Sequence, residues 1–411
     1  MEDTRLTRRW IQPWIATSVA LVSVGATLNY TSYSLIGQMI QVMAQLAIVL
    51  LACWWVDLKK YTWILYLMFF TTFLPLLGVA FGLYQQAPRQ VLIYISYFSF
   101  SLIYMVVLAE NFYSNIDKYV TIWQMVILVI LIILLVINRD ITLNIGTLIQ
   151  ALIEDERDIN SRVAMGFNNV NQLGSFSGML MILSLYQVCK KKYLIISIVS
   201  VFFSFVLIMN SGSRTPLLCL TLAALVATFA KLRKTWFGKI IGIATAIVMT
   251  IIVGGFLYLV FWGNVDSNLY QAVDEFTSYR VSLCASAMTI LSQLANYIFG
   301  IGPMSSTNIR GVLDAASRQS VVIDNSIIYY VFSNGIVGAF GVVSFFIYLI
   351  KKMNQSGKVM ALVVVAYFGM YTMFENSYFA PNSAISILGA SLMFMFVRLT
   401  FSSRKGTFTD S

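Results

Sequence analysis

MVILVILIILLVI, residues Met125 to Ile137, is an apolar run without one polar side chain. With its flanks it reaches the roughly 20 mostly apolar residues that a helix needs to cross hydrocarbon. Ile240 to Phe261 is nearly unbroken in the same way, and so is Ala361 to Phe374 with its flanks. The whole chain follows suit. Of its 411 residues 59% are hydrophobic and 11% charged, with a mean hydropathy of +0.80. Soluble domains carry about 25% charged residues. The fold class is therefore an all-α polytopic membrane protein.

The apolar runs predict twelve transmembrane helices, near 11–29, 34–56, 61–84, 89–109, 119–137, 170–189, 193–210, 215–231, 236–262, 326–350, 358–374 and 382–400. Pro75 is placed to kink the third. Residues 1–411 read as one transmembrane domain with two long loops, 138–169 and 263–325, on one side. No cleavable leader is expected, because Met1 to Trp10 is charged and no convincing small-residue cleavage site follows the first apolar run.

Lysine sets the expected orientation. With the N-terminus inside, all thirteen lysines, from Lys59 to Lys405, fall on the inner side. This is the positive-inside pattern, and it puts both termini in the cytoplasm. The formal charge of +10 is then a topology signal and not a footprint for nucleic acid. The outer side carries arginine without lysine: Arg89, Arg139, Arg157, Arg162, Arg214, Arg280, Arg310 and Arg318. Arginine presents a planar fork that grips phosphate in a bidentate way. Exclusion of lysine by topology is the plainer account of the same asymmetry.

There is no histidine, which removes the commonest general base and the usual zinc ligand. Cys53, Cys189, Cys219 and Cys284 are scattered, so neither a disulfide framework nor a cysteine metal site is expected. No convincing carboxylate cluster or Asp-x-Asp motif is present. No metal and no cofactor is therefore expected.

Three places have the residues for chemistry on a lipid phosphate. Ser211-Gly212-Ser213-Arg214-Thr215-Pro216 joins two spans with almost no loop. Thr215 as cap and Pro216 in the first turn would aim a helix N-terminus outward beside Arg214, a ready anion site. A tight turn with an interfacial arginine is the structural alternative. Leu269 to Leu294 reads as one amphipathic helix whose apolar face is Leu269, Val273, Phe276, Leu283, Ala287, Ile290 and Leu294, with Arg280 at its centre. A charge there needs a partner. Either a carboxylate such as Asp274 or Glu275 or a substrate phosphate could serve, though those carboxylates point elsewhere on the helix. Asp324-Asn325 precedes the tenth span, and Asp324 is either a helix cap or a surface base for a sugar hydroxyl. Glu375 and Asn376 end the eleventh span, and Tyr270, Tyr279, Tyr297 and Tyr378 fall on the same side.

Taken in order, these residues resemble the O-antigen polymerase and O-antigen ligase superfamily of bacterial glycan assembly. Gly166-Phe167-Asn168-Asn169-Val170-Asn171-Gln172-Leu173-Gly174 resembles its asparagine-containing entry to a middle span. Ser211-Gly212-Ser213-Arg214-Thr215 resembles its short Ser-Arg turn. Ser278-Tyr279-Arg280 with Gly300-Ile301-Gly302-Pro303 resembles its large periplasmic loop. Asp324-Asn325-Ser326 with Asn334-Gly335-Ile336-Val337-Gly338 resembles its His-Asn…Gly-x-x-Gly segment. Where ligases of the superfamily carry histidine, this chain has Asp324. That departure favours the polymerase branch.

The resemblance covers about residues 160 to 345 and implies a C-type glycosyltransferase-like fold in the bacterial cytoplasmic membrane, with an extracytoplasmic site. It implies a polymerase of O-antigen or capsule repeat units, acting on undecaprenyl-pyrophosphate-linked oligosaccharide among membrane lipids. A flippase and a chain-length regulator are the implied partners, and no nucleic acid. Asp324, Arg214 and Arg280 would be catalytic. Arg310, Arg318, Asn325, Tyr279, Asn171 and Glu375 would contact substrate. A ligase-type transfer to a different acceptor is one alternative. A lipid-linked oligosaccharide flippase is another, although it should carry charges within its spans.

Overall fold

The computed structural model of the chain describes residues 2–84, 88–141, 143, 163–232, 234–277, 279–294, 297–317, 323, 325–355, 358–375, 381 and 383–406. Among them every regular element is a helix, with no strand. The long helices are α1 (Glu2–Asn29), α2 (Ser34–Ala52), α5 (Pro88–Phe112), α6 (Ile116–Ile137), α7 (Val170–Cys189), α8 (Leu194–Ser211), α9 (Arg214–Leu232), α10 (Trp236–Trp262), α14 (Ser326–Gln355), α15 (Val359–Phe374) and α16 (Ala384–Gly406). The stretch between α2 and α5 is broken into short turns, α3 (Thr62–Met68), a π-turn at Phe69–Phe73, and α4 (Leu74–Ala80). Three further helices, α11 (Asn268–Phe276), α12 (Arg280–Leu294) and α13 (Ser306–Ser317), lie between α10 and α14. Nine helical segments among the described residues are long and apolar enough to cross a membrane, and Val359–Thr372 is a shorter apolar one. The chain is a multi-pass helical membrane protein by that measure.

Close backbone approach and aromatic packing hold the bundle. α1 crosses α2 at Gly25 and Gly37, where a Cβ on Gly37 would come within 2.4 Å of the Gly25 carbonyl oxygen. Small residues do this in membranes because lipid supplies no hydrophobic drive between helices, and contact must come from fit. Trp63 meets Phe394 edge-on at 5.0 Å, and Trp123 stacks on Phe368 at 6.1 Å. Pro75 distorts its segment as its sequence position suggests. The π-turn directly before it absorbs the disruption of the hydrogen-bond ladder.

The loop expected at 263–325 does not lie wholly outside the bundle. Residues 297–304 run back in, and Ile301 and Met304 are buried. They line up against a break in α14 at Gly335, whose φ of 70° and ψ of −178° are not helical. The N–H groups of Ile301 and Gly302 donate to the carbonyls of Phe332 and Ser333 at 3.0 and 2.9 Å. Ile336 N–H donates back to the Tyr297 carbonyl at 2.9 Å. Gly335 lies sixteen residues before Lys351, about 24 Å along the helix at 1.5 Å per residue. That is within the depth of a hydrocarbon core of about 30 Å. Irregular backbone survives at such depth only when other protein groups satisfy it, and the returning segment does so.

Gly335→Ala should therefore unfold the detergent-solubilised protein at markedly lower temperature. Its conformation is nearly restricted to glycine, and a Cβ would stand 2.0 Å from the Ile298 carbonyl oxygen, a loss of about 3 kcal/mol. Gly311→Ala on α13 has open space around it and should be neutral or stabilising by about 0.5–1 kcal/mol. Equal melting temperatures for the two variants would contradict the role given to Gly335.

Candidate functional site

The sequence pattern placed Arg280 at the middle of one long amphipathic helix. The structure corrects this. The helix ends at Phe276, and a new one, α12, begins at Arg280. Tyr279 between them has φ 63°, a left-handed turn, and its N–H donates to the Asp274 carbonyl. The Asp274 carboxylate accepts from Ser282 N–H at 2.9 Å, so it caps the second helix. The supposed apolar face also fails in its first half. Leu269 and Phe276 are exposed, whereas Tyr270 and Asp274 are buried. The heptad count ran through a turn, and so assigned the wrong side of α11.

Arg280 meets a protein carboxylate, and neither of its sequence neighbours supplies it. Its Nη2 lies 3.1 Å from Oε1 of Glu375, which caps the C-terminal end of α15. The side chains are 14% and 11% exposed. At that burial each charge depends on the other, since an unpaired buried charge is expensive.

Groups from distant segments gather around Glu375. Ser326 Oγ, in the first turn of α14, donates to its carbonyl at 3.1 Å. Asn325 caps that helix by accepting from Ile328 N–H at 3.1 Å, so the cap is Asn325. Tyr371 lies one turn earlier on α15 and donates to Ser175 Oγ on α7. Tyr30, between α1 and α2, is also near. Burial pushes its hydroxyl above the ordinary range, a hydrogen bond with Ser383 opposes that, and the Glu375 charge adds to it. The Tyr30 carbonyl accepts from Asn168 N–H at 2.6 Å, which ties in the entry to α7.

The α8–α9 turn adjoins the same region. Gly212 adopts φ 59° and ends α8. α9 begins at Arg214, one residue before the expected Thr215 cap, so Thr215 sits within the first turn. A Cβ on Gly174 of α7 would come 2.6 Å from Ser213 Cβ, so the two motifs touch. Arg214 lies over the Phe276 ring at 5.3 Å, and its Nη1 donates to the Phe276 carbonyl at 3.3 Å. Phe276 is four residues from Arg280, at most about 14 Å of chain.

The structure thus brings together the helix turns bearing Asn171, Arg214, Arg280, Asn325 and Glu375. Asn171 sits in the first turn of α7, where its carbonyl accepts from Ser175 Oγ at 2.6 Å. Tyr279 is exposed beside Arg280. Tyr297 donates to the Met288 carbonyl at 3.2 Å within its own loop. Arg310 lies on α13 with its Nε 3.6 Å from Asp314, an exposed pair of the kind that contributes little. Asp324, Arg318, Asn376, Tyr378 and most of the 138–169 loop lie outside the described residues. Tyr30, Ser175, Tyr371 and Ser383 carried no signal in the sequence, because only the packing of distant segments makes them neighbours. No family model matches the chain, and no curated protein matches it.

A double-mutant cycle tests the central pair. Arg280→Met and Glu375→Gln should each lower stability, by about 3 kcal/mol where a charge is left unpaired. The double variant should recover much of that loss. Strictly additive losses would show that the two side chains do not act as a pair.

Proposed function

We propose that the chain is a glycosyltransferase that polymerises lipid-linked oligosaccharide repeat units at the outer face of a bacterial cytoplasmic membrane. The observation that carries this reading is the Arg280–Glu375 pair, packed at one end of the helix bundle, with Arg214 anchored on the carbonyl of Phe276, four residues before Arg280. A guanidinium has five N–H donors, so an arginine held by a carboxylate can still engage a phosphate. Glu375 acts as a positioning residue that fixes Arg280.

In this reading the donor is a glycan on undecaprenyl pyrophosphate. An acceptor hydroxyl oxygen bonds to the anomeric carbon as the bond from that carbon to the diphosphate oxygen breaks. The electron pair leaves with the lipid diphosphate, and Arg214 and Arg280 offset its growing charge. Asp324 takes the hydroxyl proton, in a role supported by its place in the sequence. The donor carries its own activation, so no nucleotide enters.

The distribution of charge supports a transferase over a flippase. Among the described residues the charged side chains of the spans lie near helix ends, including the buried Glu110–Arg398 pair at 2.9 Å. A transporter lines its midplane with such groups.

Arg214→Ala and Arg280→Ala, expressed in cells that lack the natural protein, should abolish polymer while the protein remains in the membrane. Arg310→Ala should leave polymer unchanged. Normal polymer from Arg214→Ala or Arg280→Ala would remove that arginine from the mechanism.

A further inference from the structure

The opposite end of the bundle holds a second constellation. There Tyr61 OH donates to Glu110 Oε2 at 2.9 Å, and Arg398 Nε lies 2.9 Å from the same oxygen. Arg398 also lies over the Tyr113 ring at 4.5 Å. Arg398 and Tyr113 of this group line a cavity of about 900 Å³ between the start of α3 and the ends of α5, α14 and α16. Trp63, Tyr66, Tyr348 and Phe401 wall it, and Lys59 and Lys60 stand at it.

Its charges do not cancel. Glu110 neutralises Arg398, and Asp57 pairs with Lys60 at 3.1 Å. Lys59 has no ion pair among the described residues. Lys352 adds another positive charge, its Nζ 5.6 Å from the Tyr348 ring and 5.0 Å from the Phe401 ring.

Size and surroundings indicate what kind of anion fits. The volume far exceeds a bare phosphate and falls in the range of pockets that enclose large organic ligands, roughly 300–1,000 Å³. Exposed apolar side chains follow on elements that carry the cavity's residues: Leu65 on α3, Phe69 in the π-turn after it, and Ile347 on α14. We propose that this cavity binds a phosphate-bearing lipid, its headgroup between Lys59, Lys60 and Lys352 and its chains along Leu65, Phe69 and Ile347. Basic pockets between spanning helices recognise anionic headgroups by this combination of charge and apolar wall. The site is separate from the Arg280–Glu375 end and stands whether or not the chain is a transferase.

Native mass spectrometry of the full-length protein in detergent tests it, with phosphatidylglycerol, phosphatidylcholine and glycerol 3-phosphate as probes. The wild type should retain phosphatidylglycerol in preference to phosphatidylcholine. Lys59→Gln/Lys60→Gln should weaken that retention roughly thirtyfold. Lys231→Gln/Lys234→Gln, which removes as much charge at the connection from α9 to α10, should leave it intact. Both lysine pairs are on exposed residues, and equal melting temperatures check that neither variant is misfolded. Equal weakening by both pairs, or no preference for the anionic lipid, would overturn the proposal. Glycerol 3-phosphate binding as tightly as the lipid would overturn it too, in favour of a soluble phosphate.

Discussion

The contact between Arg280 and Glu375 fixes the arginine end of the molecule. Glu375 ends a helix deep in the bundle, and Arg280 begins a helix that belongs to the segment outside it. Both side chains are mostly shielded, where a charge needs an opposite one close by, and each meets the other at 3.1 Å. The pair therefore pins α12 against α15. Through the short 276–280 connection it also holds the place where Arg214 anchors.

A second constraint acts beneath that pair. A helix broken inside an apolar bundle exposes carbonyls and N–H groups that no water can reach. At Gly335 the returning residues 297–302 supply the missing partners. Gly300 and Gly335 permit it, because a Cβ on Gly300 would come 2.6 Å from the Gly335 nitrogen. The Gly300-Ile301-Gly302 turn and the Asn334-to-Gly338 segment are thus two halves of one junction. The half of α14 before that junction begins with Asn325 as its cap and Ser326 on the Glu375 carbonyl.

How much of this was legible in the sequence depends on how far each feature reaches along the chain. Apolar runs such as Met125–Ile137 located helices well, because burial in lipid is written into every residue of a span. The turn at Ser211–Ser213 was legible because a glycine between two apolar runs can do little else. The partner of Arg280 was not legible, since Glu375 is 95 residues away and joins it only after the helices pack. The helix break before Arg280 was missed for a different reason. A heptad count still finds apolar residues when the chain turns, and only the capping carboxylate of Asp274, eight residues ahead of Ser282, marks the break. The cavity bounded by Lys59, Tyr113, Tyr348 and Arg398 had no linear signature, because four segments build it.

The proposed chemistry rests on a donor that brings its own leaving group, a lipid diphosphate, to the end of the bundle that carries Arg280 and the Phe276 contact of Arg214. The most direct test is reconstitution. The purified protein is incubated with an undecaprenyl-pyrophosphate-linked repeat unit, without nucleotide, and the products are separated on a gel. The account predicts a ladder at multiples of the repeat unit. An authentic repeat unit left unextended would contradict it.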